Sequence, residues 1–327
     1  MLFSLRTLNL AEPFRIAHGT SATRQVLRLE DDGLTTEAPF VPYYGEVPEE
    51  TLALLHSAAL PVPLPRTAAL ALDLMRQERE CRASGRSLSA VAREKLGEPV
   101  HPMPQGCRSF SIPEDLGLFH DRVCEIARQF HVLKLKLGSG DLGLDLAIVA
   151  VARRAAPQAH LLLDVNGGWE PSESPMMIQK LMDYRPALIE QPFHHRHGPE
   201  AWEALRSDLP ANAPSLFADE SAQNAADVPA LAPWVDGVNV KLLKCGSFGG
   251  ALTMIDLARE HGLQVLLGCM IESSLGTTAA AHLAPWADWI DLDGHFYVAN
   301  DDYRGIEYDS EGHLLLPDRP GIGAIPR

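Results

Sequence analysis

No stretch of the sequence is apolar for the length of a signal peptide or membrane span. In the opening MLFSLRTLNLAEPFRIAHG, Arg6, Asn9, Glu12 and Pro13 break every candidate run. CxxC spacing is also missing. The five cysteines, Cys81, Cys107, Cys124, Cys245 and Cys269, are odd in number and scattered, the pattern of reduced thiols rather than disulfides. Basic residues are scarce, 28 against 43 acidic, and the net charge of -15 repels phosphate backbones and anionic lipid surfaces. Nucleic acid and membrane are therefore excluded as expected partners, and the cytoplasm is the expected location. What is present is an ordinary globular composition, 46% hydrophobic and 22% charged over 327 residues. A chain of that length buries about 75% of its unfolded surface and needs no staples.

Two β-like runs, Gln25 to Leu29 and Leu34 to Ala38, flank an Asp32-Gly33 turn signal. Apolar residues at helical spacing follow over Thr51 to Ala58, Thr67 to Arg79 and Ser87 to Leu96, with a proline-rich link, PVPLPR, between the first two. The first hundred residues read as an α+β unit ending near His101 to Gly106. Eight compact apolar runs come next: Ser109-Ile112, Val132-Leu137, Leu161-Val165, Leu188-Glu190, Leu216-Ala218, Val238-Leu243, Val265-Gly268 and Trp289-Leu292. Seven helix-like stretches separate them. Such an alternation closes most economically into an α/β barrel of the (β/α)7β kind, with its site at the C-terminal ends of the strands; an open doubly wound sheet is the competitor. The expected division is a capping domain of residues 1–105, completed by about 300–327, over a catalytic barrel of residues 106–299. The turn-rich segment Gly305 to Arg327 is expected to pack back on the N-terminal unit.

The ends of the runs carry the chemistry. Asp164, Glu190 and Asp219 arrive one per successive run, and three hard oxygen ligands without His or Cys suit one Mg2+ per subunit. Lys136 on the second run and Lys241 on the sixth face each other across such a barrel. A lysine acts as a base when its pKa falls towards about 7 to 8, and burial, the neighbouring Lys134 charge and a metal all push that way. One lysine would take the α-proton of a substrate carboxylate held at the metal, and the other would return it to the opposite face of the enediolate.

These residues resemble the enolase superfamily, whose Lys bases and Mg2+ are established catalytic examples, and within it the muconate-cycloisomerase-like group. The resemblance runs through PFRIAHGT near the N-terminus, KLK at 134–136, DVN at 164–166, IEQP at 189–192, ADES at 218–221, VNVKLLKCGSFGGA at 238–251 and the terminal LPDRPGIGA. Asp291-Leu292-Asp293-Gly294 is similar to the DxD signature of the dipeptide epimerase (L-Ala-D/L-Glu epimerase-like) family, whose two carboxylates grip the substrate's free ammonium. The resemblance implies an isomerase: a Mg2+-dependent epimerase inverting the α-carbon of the C-terminal residue of an L,L-dipeptide. It implies Lys136 and Lys241 as the acid/base pair, Asp164, Glu190 and Asp219 as metal ligands, and Asp291 and Asp293 as substrate ligands. Lys134, Ser109 and Cys269 are further substrate-contact candidates. In relatives acting on Ala-Glu, a loop arginine after the PF segment receives the acidic side chain; here that stretch reads His18-Gly19-Thr20-Ser21-Ala22-Thr23 before Arg24.

Three readings compete. An o-succinylbenzoate synthase, an N-acylamino acid racemase or a cycloisomerase would use the same lysines and metal without an ammonium grip. Gly138-Ser139-Gly140-Asp141-Leu142-Gly143 is a formal GxGxxG, which would make the protein an NAD-dependent oxidoreductase. The His194-His195-Arg196-His197 stretch reads as a solvated loop, with a second metal site or a pocket wall as its other uses. The expected partner is a small-molecule dipeptide, and a homo-oligomer is one assembly left open.

Overall fold

The computed structural model describes residues 1–57 and 63–327. Ala58 and the Pro61-Val62 start of the proline-rich link lie outside the described residues. The chain opens with an antiparallel sheet of β1 (Leu2–Ile16), β2 (Gly19–Asp31) and β3 (Leu34–Pro39). The second and third strands match the two expected runs and the turn between them. The long first strand was not expected: its register shifts between Asn9 and Phe14, so no single alternation runs through it. Helices α1 (Pro48–Leu55), α2 (Arg66–Ser84) and α3 (Leu88–Leu96) follow.

From Cys107 the eight expected runs become eight parallel strands: β4 (Cys107–Phe110), β5 (Val132–Lys136), β6 (His160–Asp164), β7 (Leu188–Glu190), β8 (Ser215–Ala218), β9 (Gly237–Val240), β10 (Gln264–Gly268) and β11 (Trp289–Asp291). Each pairs with its sequence neighbour, and helical segments fill all seven intervals. The curled sheet is a barrel, not an open doubly wound sheet. Among the described residues no ladder joins β4 to β11; Ser109 bridges them instead, its Oγ donating to Asp291 Oδ1 at 2.8 Å and its N to Asp293 Oδ2 at 2.6 Å. The sixth run stops earlier than expected. Lys241 leaves the strand and precedes a one-turn helix, Leu242–Cys245, because an unbroken apolar run cannot signal where strand becomes helix.

Strand alternation decides what faces inward. Cys107, Val132, Leu162, Leu188, Phe217 and Leu266 form one buried cluster, the apolar plug of the barrel. Two residues further along these strands, the same inner face carries Ser109, Lys134, Asp164, Glu190, Asp219 and Gly268. The plug is thus the floor on which the polar layer stands. The outward residues, such as Leu133, Leu135, Leu161 and Leu163, join the main core under the helices.

The C-terminal segment packs against the N-terminal part. Leu88 N donates to Gly321 O at 3.2 Å, Ile322 N donates to the buried Glu78 at 2.6 Å, and Arg28 pairs with Asp302 at 2.6 Å. No helix among the described residues is long and apolar enough to cross a membrane.

Candidate active site

Asp164, Glu190 and Asp219 are fully buried, and one oxygen from each lies within 4.8 Å of the others. Lysines surround them. Lys134 Nζ reaches Glu190 at 2.7 Å, Asp291 at 2.8 Å and Asp164 at 3.1 Å. Lys136 Nζ donates to Asp164 Oδ2 and Lys241 Nζ to Asp219 Oδ2, each at 2.6 Å. Two residues that the sequence reading missed complete the arrangement. Lys244 Nζ donates to Asp219 Oδ1 and to the carbonyls of Asp219 and Asn239, and Asn239 Nδ2 donates to Glu190 Oε1 at 2.6 Å. Lys244 follows Lys241 at helical spacing in Lys-Leu-Leu-Lys, but nothing local marks the carboxylate that it meets.

The charges do not balance evenly. Burial pushes Asp164 up, yet Lys134 and Lys136 outweigh it and hold the carboxyl at about 2. Burial likewise opposes Asp219, and Lys241, Lys244 and Lys134 hold it well below the usual carboxylate range. Glu190 goes the other way: burial, then the charge of Asp164, push it up to about 7 despite Lys134. Three buried carboxylates that converge on one point offer only oxygen donors, and all-oxygen donors suit a hard divalent cation. The residues present fit Mg2+. Burial and the Lys134 charge act to lower Lys241, as expected of a base, while Asp219 acts the other way and holds the ammonium above the ordinary lysine range.

A cleft lies above this layer. Its lining includes Lys136, Lys241, Asp291, Asp293, Ser109 and Cys269, so six of the residues singled out from sequence converge there. Lys134 does not line it; its side chain is wholly buried beneath, bonded to three carboxylates. Phe14 and Ile16, in the PFRIAHGT segment, wall the cleft from the N-terminal part; the other apolar walls, Val41 and, after β10, Met270 and Ile271, were not anticipated. Nor was Tyr297, whose hydroxyl shares its one proton between the Ser109 carbonyl at 2.5 Å and Asp293 Oδ2 at 3.0 Å. Tyr43 lines the cleft and meets His18 with ring centroids 4.6 Å apart. Arg24 also lines the cleft, reaching it from β2 rather than from the loop.

The glycine-rich motif does not bind phosphate. The amides of Gly138 and Ser139 both donate to Asp145, at 3.0 and 3.1 Å, and Asp141 caps the next helix. With those donors spent inside a barrel, the dinucleotide reading falls. His194 accepts from Arg196 N and stacks on His195 at 4.3 Å. Among the described residues, these histidines belong to no group of three metal donors.

A barrel whose mouth joins a buried carboxylate triad to two flanking lysines defines a class: metal-assisted enzymes that move a proton at carbon next to a carboxylate. The comparisons agree. The model of the enolase C-terminal domain-like family matches residues 119–327. Over 240 residues, 70% of this chain and 67% of the relative, the sequence is 40% identical to an L-Ala-D/L-amino acid epimerase of Pedosphaera parvula. It is 30% identical to an L-Ala-D/L-Glu epimerase of Bacteroides thetaiotaomicron over 99% of this chain and 87% of the relative. The fold matches that of a dipeptide epimerase from Enterococcus faecalis V583, complexed with Mg and L-Leu-L-Tyr, with TM-score 0.86 and 26% identity over 99% of this chain and 98% of that one. The chain belongs to the enolase superfamily.

Proposed function

We propose that this chain is a Mg2+-dependent dipeptide epimerase that inverts the α-carbon of the C-terminal residue of an L,L-dipeptide. One observation carries the reading: an ammonium-accepting carboxylate pair opens into the same cleft as two lysines flanking a buried carboxylate triad. Asp164, Glu190 and Asp219 would hold Mg2+. When bound, the ion supplies positive charge that stabilises the anion left by proton removal. Lys136 and Lys241 approach from opposite sides, one taking the α-proton and the other returning a proton to the opposite face. Asp291 and Asp293 hold the substrate ammonium, which places the C-terminal residue between the lysines. Phe14, Ile16 and Met270 exclude water from the reacting carbon. Lys134 contributes by holding Asp164, Glu190 and Asp291 in place from below.

We assign residues 1–105 with about 300–327 to a cap that supplies one wall of the cleft, residues 106–299 to the catalytic barrel, and the protein to the cytoplasm. A racemase of N-acylated amino acids or a cycloisomerase has no use for two acids at the end of β11. The test is α-proton exchange in D2O with Mg2+, comparing L,L-dipeptides with their N-acetylated forms. Exchange of free dipeptides that EDTA stops, and that Asp293→Ala abolishes, upholds the reading. Faster exchange of the N-acetylated forms sinks it while leaving the metal and lysines in place.

A further inference from the structure

Asp291 and Asp293 stand side by side, yet they are held differently. Asp291 has both oxygens engaged: Oδ1 accepts from Ser109 Oγ and Oδ2 from Lys134 Nζ, each at 2.8 Å. Asp293 is held by Oδ2 alone, which accepts from Ser109 N at 2.6 Å and from the Tyr297 hydroxyl at 3.0 Å. Its Oδ1 has no protein donor among the described residues, and Asp293 lines the cleft. Behind it stands Arg108 of β4, with Nε 3.6 Å from Oδ2. That is too long for a hydrogen bond, and this buried Nε has no hydrogen-bond partner among the described residues. The guanidinium is fixed by stacking, with Cζ 4.2 Å from the centroid of the Phe296 ring.

We propose that Arg108 and Tyr297 are positioning residues for Asp293, the carboxylate that accepts the substrate ammonium. Tyr297 turns Oδ2 away so that Oδ1 faces the cleft, and Arg108 keeps the group ionised from outside. This rests on the epimerase reading, which supplies the ammonium.

The need for such support follows from the surroundings. Burial, then the adjacent Asp291, push the Asp293 carboxyl up to about 6, while Arg108, the Ser109 amide and Tyr297 pull it down. The other cations of the cleft region are paired elsewhere: Lys134 with Asp291, Asp164 and Glu190, Lys136 with Asp164, and Lys241 with Asp219. Burial raises Cys107, Cys269, Tyr297 and Tyr308 well above their ordinary values, so these neighbours are uncharged. Burial also lowers His295 to about 4, leaving it neutral above that pH. Arg108 is thus the charge that opposes Asp291 at this carboxyl. An ammonium is gripped only by ionised Asp293, so kcat/KM falls as pH drops through its pKa, and removing Arg108 moves that fall to higher pH.

The experiment is a pH profile of kcat/KM for an L,L-dipeptide, with Mg2+ saturating at every pH, in the wild type, Arg108→Met, Arg108→Lys and Tyr297→Phe. Arg108→Met should displace the acid limb upward by about one unit, a tenfold loss on that limb carried by KM, with little change above about pH 8. Arg108→Lys should recover most of the displacement, and Tyr297→Phe should move the limb the same way by less. Coincident limbs, or a loss equal at every pH, would overturn the proposal. A 13C NMR titration of the Asp293 carboxyl, assigned with Asp293→Asn, needs no turnover. An upward shift in Arg108→Met, or in Tyr297→Phe where that variant does not fold, is the expected result, and an unmoved titration overturns it. A shifted titration in a protein that exchanges no dipeptide sinks the epimerase reading alone.

Discussion

Lys241 Nζ lies 2.6 Å from Asp219 Oδ2, so a group proposed to move the substrate's proton is bonded to one proposed to hold the metal. Lys136 and Asp164 repeat the relationship on the far side. A divalent ion at the triad would share these oxygens with two ammonium groups, and at Lys241 it would oppose the attraction of Asp219 that raises the group's pKa. Metal binding and base activation are in this sense one electrostatic event.

Mg2+ affinity should therefore rise with pH. Burial and the charge of Asp164 push the Glu190 carboxyl up to about 7, so below that pH it is protonated, whereas an ion needs it ionised. Calorimetry in two buffers of different ionisation enthalpy should show protons released on binding, more at about pH 6 than at about pH 8. Binding with no proton release at either pH would contradict this.

Neither lysine should substitute for the other. Lys136→Met and Lys241→Met should each lose epimerisation by about 10²–10⁴-fold. In D2O, each variant should still exchange the α-proton of one epimer, and the two variants should prefer opposite epimers. Loss of exchange from the same epimer in both would mean that a single base serves both faces.

Arg24 sets up a test of side-chain preference. It enters the cleft from β2, pairs with no carboxylate among the described residues, and is lowered in pKa by burial. A guanidinium in that position should favour an acidic side chain over its amide by about 10–100-fold in kcat/KM, the worth of a charge-assisted hydrogen bond. The comparison is L-Ala-L-Glu with L-Ala-L-Gln, in the wild type and in Arg24→Met. Equal turnover in the wild type would refute it, as would a preference that survives the substitution.

The barrel and its polar layer were legible in the sequence because β-strands are short, apolar and spaced by one helix each, and because period two forces Asp164, Glu190 and Asp219 onto one face. The walls were not. Phe14 lies within the PFRIAHGT segment and Tyr297 three residues after Gly294, yet their roles depend on how β1 and the segment after β11 close over the barrel. A sequence shows that such residues are apolar or aromatic, and leaves open which surface they cover. Arg24 shows the same limit: its position after the loop was visible in the sequence, its entry into the cleft from β2 was not.

Gly268 gives the sharpest link between backbone and chemistry. It occupies the inner face of β10 beside Asn239 and Lys241, and a Cβ there would lie 2.5 Å from Asn239 Oδ1 and 3.0 Å from Lys241 Cε. Asn239 in turn holds Glu190, so one added methyl would press on a metal ligand and on a base together. Gly268→Ala should fold, because its backbone does not require a positive φ. Its kcat should fall by about 10²-fold, since a displacement of about 1 Å at the reacting groups is that damaging. Thermal melting alongside turnover separates the effects: a large fall in kcat with a melting temperature within a few degrees of wild type is expected. Unchanged turnover would mean that Lys241 can shift without consequence, and that the contact between positions 268 and 241 does not set the position of the base.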